Sequence, residues 1–225
     1  MRHLLVFDVD GTLTRTMAAD TRCYAQALFE RLRTPIDTDW ASYRFVTDPG
    51  IAAEAFERCL GRPPAPHELD AVRARFLALL AAQDGYDEVP GAAALLQRLR
   101  LRRDVFLAIA TGAWSDSALL KLRRAGIAVD GLPMATGDDA SAREEILRLA
   151  ILRAGRPFDR VTYVGDGVWD VAATRALGIG FVGISCDGDA TALRAAGAVH
   201  VLPDLRDADR LLAAAGVADP GGPRE

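Results

Sequence analysis

Apolar positions along the chain follow two rhythms. Four short runs are continuously apolar: His3–Phe7, Val105–Ala110, Val161–Val164 and Phe181–Ile184. Runs of that length and density suit strands buried on both faces, as in parallel sheets. Between them the apolar residues recur at helical spacing, as in Leu95, Leu96 and Leu99, or Ile146, Leu149 and Ile151–Leu152. Alternating strands and helices predict a doubly wound, mostly parallel, Rossmann-like α/β sheet.

Residues 15–88 break the alternation. No strand pattern occurs there, and three helical faces do: Tyr24, Leu28 and Leu32; Ile51, Ala55, Phe56 and Cys59; Leu69, Val72, Phe76 and Leu79. Asp48 followed by Pro49 predicts an N-cap and a first helical position for the second face. Residues 61–66 are rich in proline and glycine and separate the second helix from the third. The expected organisation is an α/β core from residues 1–14 and 89–218, an all-helical insertion at 15–88, and a disordered tail at 219–225, where Pro and Gly cluster.

Composition narrows the function classes. The chain has 225 residues, half of them hydrophobic, and a formal net charge of -4. That charge argues against nucleic acid or an anionic membrane surface as a partner. Cys23, Cys59 and Cys186 form no CxxC, which fits reduced thiols. The opening apolar run is short and ends at Asp8, unlike a secretory leader, and no apolar stretch approaches the roughly 20 residues of a membrane span. A cytoplasmic location is the expectation. Lys121 is the only lysine among 27 Lys and Arg residues.

The candidate chemistry gathers at strand ends. Asp8-Val9-Asp10-Gly11-Thr12-Leu13-Thr14 follows the first apolar run, and the carboxyl ends of strands form the binding crevice of open α/β sheets. Thr111 and Gly112 follow the second run. Asp166 and Asp170 follow the third, in Gly165-Asp166-Gly167-Val168-Trp169-Asp170. Ser141-Ala142-Arg143-Glu144 has the spacing of a capping box, which predicts a helix starting at Ala142 with Arg143 in its first turn. Read singly, each has an ordinary explanation: an Asp-Gly turn, a helix cap, a solvated acid, an exposed charge. A cation in a helix's first turn is disfavoured by the helix dipole, so Arg143 is expected to have an anionic partner; Asp138 and Asp139 could serve locally, and Asp8 could serve functionally. Gly178–Gly183 matches GxGxxG, but its strand lies inside the motif and not before it, which argues against dinucleotide binding.

Taken together, DVDGTLT at 8–14, Thr111, Arg143 and GDGVWD at 165–170, in that order, resemble the haloacid dehalogenase (HAD) superfamily over nearly the whole chain. The resemblance implies a phosphoglycolate-phosphatase-like hydrolase with a helical cap, Mg²⁺ as cofactor and a small phosphorylated metabolite as substrate. It implies Asp8 as the nucleophile that forms an aspartyl-phosphate, and Asp10 as the group that protonates the leaving alcohol and activates water. Metal ligands would be Asp8, the Asp10 carbonyl and Asp166, with Asp170 acting through water or orienting its neighbours. Thr111 and Gly112 would hold a phosphoryl oxygen. The family's third motif usually carries a lysine, and Arg143 stands in its place here. Lys121 is set aside, because it lies well along the helix after Thr111 beside Arg123 and Arg124. Within the insertion, the loop Tyr43–Asp48 is expected to face the crevice, with Arg44 or Thr47, and also Asp20, touching the non-reacting part of the substrate. Alternatives are a phosphomutase of the same superfamily, a carbon–halogen hydrolase (disfavoured by Asp10), a phosphonate-cleaving enzyme using a cap lysine (disfavoured because Lys121 lies outside the insertion), and a non-catalytic binding protein on the same fold.

Overall fold

A computed structural model describes residues 1–217; the tail at 219–225, expected to be disordered, lies outside the described residues, as does residue 218. Six parallel strands form one sheet in the order β3-β2-β1-β4-β5-β6. They are β1 (His3–Phe7), β2 (Val105–Ala110), β3 (Met134–Ala135), β4 (Arg160–Gly165), β5 (Gly180–Ile184) and β6 (His200–Leu202). β3 and β6, of two and three residues, were not anticipated from the pattern, being too short to show one.

β1 is buried along its whole length because both its faces are covered. Leu5 and Phe7 pack on one side with Leu95, Leu96 and Leu99 of α4 (Ala92–Arg100), Leu122 of α5 (Ser115–Arg124) and Leu211 of α9 (Ala208–Ala214). Leu4 and Val6 pack on the other with Ile146, Leu147 and Ala150 of α6 (Arg143–Arg153) and Ala173 of α7 (Val168–Leu177). α8 (Thr191–Ala196) covers the β5–β6 edge. Register aligns Phe7 with Ile109 of β2 and with Val164 of β4. Strand order reverses direction between β1 and β4, so the crevice at a topological switch point opens above the residues that follow these strands.

Three helices occupy the stretch between β1 and β2: α1 (Met17–Leu32), α2 (Asp48–Leu60) and α3 (Pro66–Ala81), with a 3₁₀ turn at Trp40–Ser42. Tyr24, Leu28, Ile51, Phe56, Val72, Phe76 and Leu80 form their shared core. Trp114, from the loop after β2, inserts into that core, with ring centroids 5.8 Å from Tyr24 and 6.0 Å from Phe76. Two helix starts differ from expectation. Thr47, not Asp48, caps α2, its hydroxyl accepting from the Gly50 amide at 3.2 Å. The Ser141–Glu144 capping box does not form; α6 begins at Arg143 with Ala142 at the N-cap and no side-chain cap. The Ser141 carbonyl instead accepts from the Thr47 hydroxyl at 3.3 Å. No helix among the described residues is long and apolar enough to cross a membrane.

Candidate active site

The turn after β1 brings the two acids of the first motif to different places. Asp8 extends the strand, its amide donating to the Val164 carbonyl at 2.9 Å, and its Oδ1 accepts from the Val9 amide at 2.7 Å. Gly11 follows with φ +73°, and a side chain there would collide with the Asp166 carboxylate 1.8 Å from the position of its first carbon. The glycine therefore allows Asp166, after β4, to lie directly over this turn. Carboxylate oxygens of Asp8, Asp166 and Asp170 come within 4.8 Å of one another. Asp170 is fully buried, and its Oδ2 accepts from the Gly167 amide at 3.0 Å.

Three acids so close, Asp8 and Asp170 buried and Asp166 half-buried, repel one another. Burial, reinforced for Asp166 by Asp8 and Asp170, pushes its carboxyl well above the usual carboxylate range. Burial also raises Asp8, against the pull of Arg143 and the Val9 amide, and raises Asp170 to about 7 against Arg143. Asp170 Oδ1 is a buried acceptor with no hydrogen-bond partner. Converging hard oxygen donors, one of them unsatisfied, fit a small divalent cation such as Mg²⁺.

Arg143 lies against this cluster. Its Nη1 is 3.8 Å from Asp8 Oδ1 and its Nε 3.3 Å from Asp170 Oδ1. Its Nη2 donates to the Val46 carbonyl at 3.2 Å, while the buried Nε and Nη1 have no hydrogen-bond partner. Gly112 leaves room for this: a side chain there would meet the Val46 carbonyl at 2.6 Å and Arg143 Nη2 at 3.0 Å. The Thr111 hydroxyl is a donor toward Asp8 and accepts from the Ala113 amide at 3.2 Å. A guanidinium with two spare donors beside a hydroxyl and a carboxylate is suited to an oxyanion.

The Asp10 carboxylate turns away from the other acids. Its Oδ1 accepts from the Thr16 hydroxyl at 2.5 Å and its Oδ2 from Lys121 Nζ at 2.5 Å. Lys121 also donates to Asp20 of α1 at 2.6 Å and is wholly buried. The expectation that Lys121 lies apart from the site is therefore corrected. It sits on the inner face of α5, while Arg123 and Arg124 next to it point outward.

A cavity with about 60 Å³ of water-accessible space joins these groups. Asp8, Asp10, Thr111, Gly112, Arg143 and Asp166 line the core side; Asp20, Tyr24, Trp40, Thr47, Asp48 and Ile51 line the insertion side. Thr47 and Asp20 thus reach the cavity. Arg44 does not: it is exposed, outside the lining, with its amide donating to Glu54 at 2.8 Å. Asp48 and Trp169 also line the cavity, beyond the residues expected to touch substrate or metal. Asp48, at the α2 start, accepts from the Trp114 amide at 2.8 Å, and burial, with Asp20 adding repulsion, raises its carboxyl to about 8. Trp169 presents a buried indole nitrogen with no partner. The sequence signal for Trp169 was its place inside the second acidic motif; Asp48 was legible only as a cap.

Comparison with known proteins gives the family and the fold. Residues 3–178 match the haloacid dehalogenase-like hydrolase family. A protein named phosphoglycolate phosphatase from Rhodospirillum rubrum is 30% identical over 234 residues, covering 100% of this chain and 95% of that protein. A hydrolase from Pseudomonas syringae superposes with a TM-score of 0.76 at 24% identity, covering 93% of this chain and 97% of that one. CbbY from Rhodobacter sphaeroides, solved in complex with phosphate, gives 0.69 at 23% identity, covering 92% and 96%. The chain belongs to the haloacid dehalogenase-like hydrolase family.

Proposed function

We propose that this protein is a Mg²⁺-dependent phosphatase that hydrolyses a small phosphate monoester through an aspartyl-phosphate on Asp8. The observation carrying this reading is the convergence of the Asp8, Asp166 and Asp170 carboxylates within 4.8 Å, with Arg143 beside Asp8 at 3.8 Å and beside Asp170 at 3.3 Å. The phosphatase name of the Rhodospirillum rubrum relative supports it.

Asp8, Asp166 and Asp170 would hold the cation, which when bound offsets their mutual repulsion and the charge of the phosphoryl group. An Asp8 carboxylate oxygen attacks phosphorus as the ester oxygen leaves. Thr111, the Gly112 amide and Arg143 hold the phosphoryl oxygens, and the charge of Arg143 stabilises them as the bond breaks. Asp10 delivers a proton to the leaving oxygen and then takes one from the water that attacks the aspartyl-phosphate. The three-helix insertion closes over these groups as a cap, holding the substrate's remaining atoms and limiting water.

The decisive experiment is phosphate release from small monoesters by purified protein. Turnover is expected with Mg²⁺, none with chelator, and none in Asp8→Asn with the fold intact by circular dichroism. Normal turnover in Asp8→Asn, or a covalent phosphoryl group trapped on another residue, would overturn the reading.

A further inference from the structure

Lys121 sits where a lysine is costly. Its side chain has no exposed surface, and a buried ammonium is tolerated only when it is paired and hydrogen-bonded. Its Nζ meets Asp10 Oδ2 at 2.5 Å and Asp20 Oδ1 at 2.6 Å. One partner belongs to the turn after β1 and the other to α1 of the insertion, so a single ammonium ties the two parts of the molecule together at the cavity wall.

The choice of residue also carries information. Every other basic side chain of the Lys/Arg type in this sequence is arginine. A planar guanidinium has a rigid fork suited to one carboxylate face-on. An ammonium on a flexible four-carbon stem is compact and can turn its three donors toward carboxylates arriving from different directions. The single lysine of the chain stands at this position.

Asp10 has both carboxylate oxygens engaged, Oδ1 by Thr16 and Oδ2 by Lys121. Thr16 is itself held by Thr14, hydroxyl to hydroxyl at 2.6 Å. The carboxylate is therefore clamped from two sides, by Thr16 at the N-cap of α1 and by Lys121, whose second partner Asp20 lies in the first turn of the same helix.

We infer that Lys121 is a positioning residue for Asp10, which places the Asp10 carboxylate for its part in phosphoester hydrolysis and ties that placement to Asp20 on the insertion. The inference rests on the reading of Asp10 given above. Lys121 does not touch the reacting atoms and acts through Asp10, with Asp20 completing its anchorage.

A mutant cycle with phenyl phosphate and Mg²⁺ tests it, using wild type, Asp10→Asn, Lys121→Met and the double variant. Proton transfer by a positioned group contributes roughly 10² to 10⁴ in rate, so Asp10→Asn is expected to lose that much in kcat. Lys121→Met is expected to lose at least tenfold, and the double variant to be within about threefold of Asp10→Asn alone, because a residue that works through Asp10 has nothing left to place. A purely structural lysine would instead give losses that multiply. Multiplying losses, or wild-type kcat in Lys121→Met, would overturn the inference. If Lys121→Met does not fold, the same cycle is run in the Asp20→Asn background, where removing the lysine leaves one fewer uncompensated carboxylate. The two readings fail separately. Wild-type kcat in Asp10→Asn would sink the role of Asp10, whereas an impaired Asp10→Asn with multiplying losses would sink only the role of Lys121.

Discussion

Arg143 shows how much one side chain can be asked to do. Among the described residues it is the only cation lining the cavity, and it faces Asp8 and Asp170 at 3.8 and 3.3 Å. Removing one member of a buried ion pair leaves the others uncompensated, at about 3–5 kcal/mol. Arg143→Ala is therefore expected to lose turnover by roughly 10³-fold or more and to unfold at lower urea in chelator. Mg²⁺ should recover part of that stability, since the same three carboxylates would gain a counter-charge. Arg143→Lys should keep partial activity, because the charge survives while the planar fork is lost. Urea titrations with and without Mg²⁺, beside kcat, check both halves; wild-type turnover in Arg143→Ala would remove the residue from the site. Lys121 was not legible in the same way. Its partners lie 111 and 101 residues away in sequence, and the basic residues two and three positions on, Arg123 and Arg124, are exposed. Nothing local marks which side of α5 faces the cavity. Asp8, Asp10 and Asp166 were legible because strand ends and tight turns leave polar side chains few other uses.

At the scale of elements, α2 is positioned by its first turn. The Asp48 amide donates to the Gly112 carbonyl at 2.9 Å, its carboxyl accepts from the Trp114 amide, and its carbonyl accepts from the Tyr24 hydroxyl. Thr-Asp-Pro offers two capping residues in a row, and the pattern of apolar positions could not choose between them. Tertiary contact does, by sending Asp48 inward and leaving Thr47 as the cap. The buried carboxyl has a consequence for stability. Its folded pKa of about 8 exceeds the unfolded value of 3.8, so the folded state binds the proton more tightly. The associated stability is complete below about pH 4 and is lost as pH rises toward 8. Asp48→Asn keeps an acceptor for the Trp114 amide but cannot ionise. Relative to wild type, the variant should gain stability steadily from pH 5 to pH 8, as measured by urea unfolding in chelator. A constant difference across that range would show that Asp48 does not carry the raised pKa.

For the molecule as a whole, the match between cavity charge and substrate charge decides what can bind. Insertion and core are joined beyond the cavity by Arg73, which bridges to Asp116 at 3.0 Å and Asp138 at 2.6 Å, and by Trp114 within the insertion's core. Among the described residues the cavity has one lining cation, Arg143, beside Asp8 on the core side. Asp20 and Asp48 line its insertion side with Tyr24, Trp40 and Ile51. Lys121 is committed to Asp10 and Asp20, and Arg44 points elsewhere. A substrate with a second anionic group would bring it against Asp20 with no free cation among the described lining residues to meet it. The carboxylate of 2-phosphoglycolate is such a group, and 2-hydroxyethyl phosphate has the same length with a neutral end. The neutral ester is expected to have the higher kcat/KM by tenfold or more, equivalent to about 1.4 kcal/mol. Burial, partly offset by Lys121, raises Asp20 to about 6, so Asp20 is ionised above that pH and increasingly neutral below it. The preference should accordingly narrow as pH falls from 8 to 5, and comparing the two esters at each pH cancels changes they share. A higher kcat/KM for 2-phosphoglycolate across that range would mean that a cation reaches the insertion side of the cavity during turnover, against the charge arrangement described here.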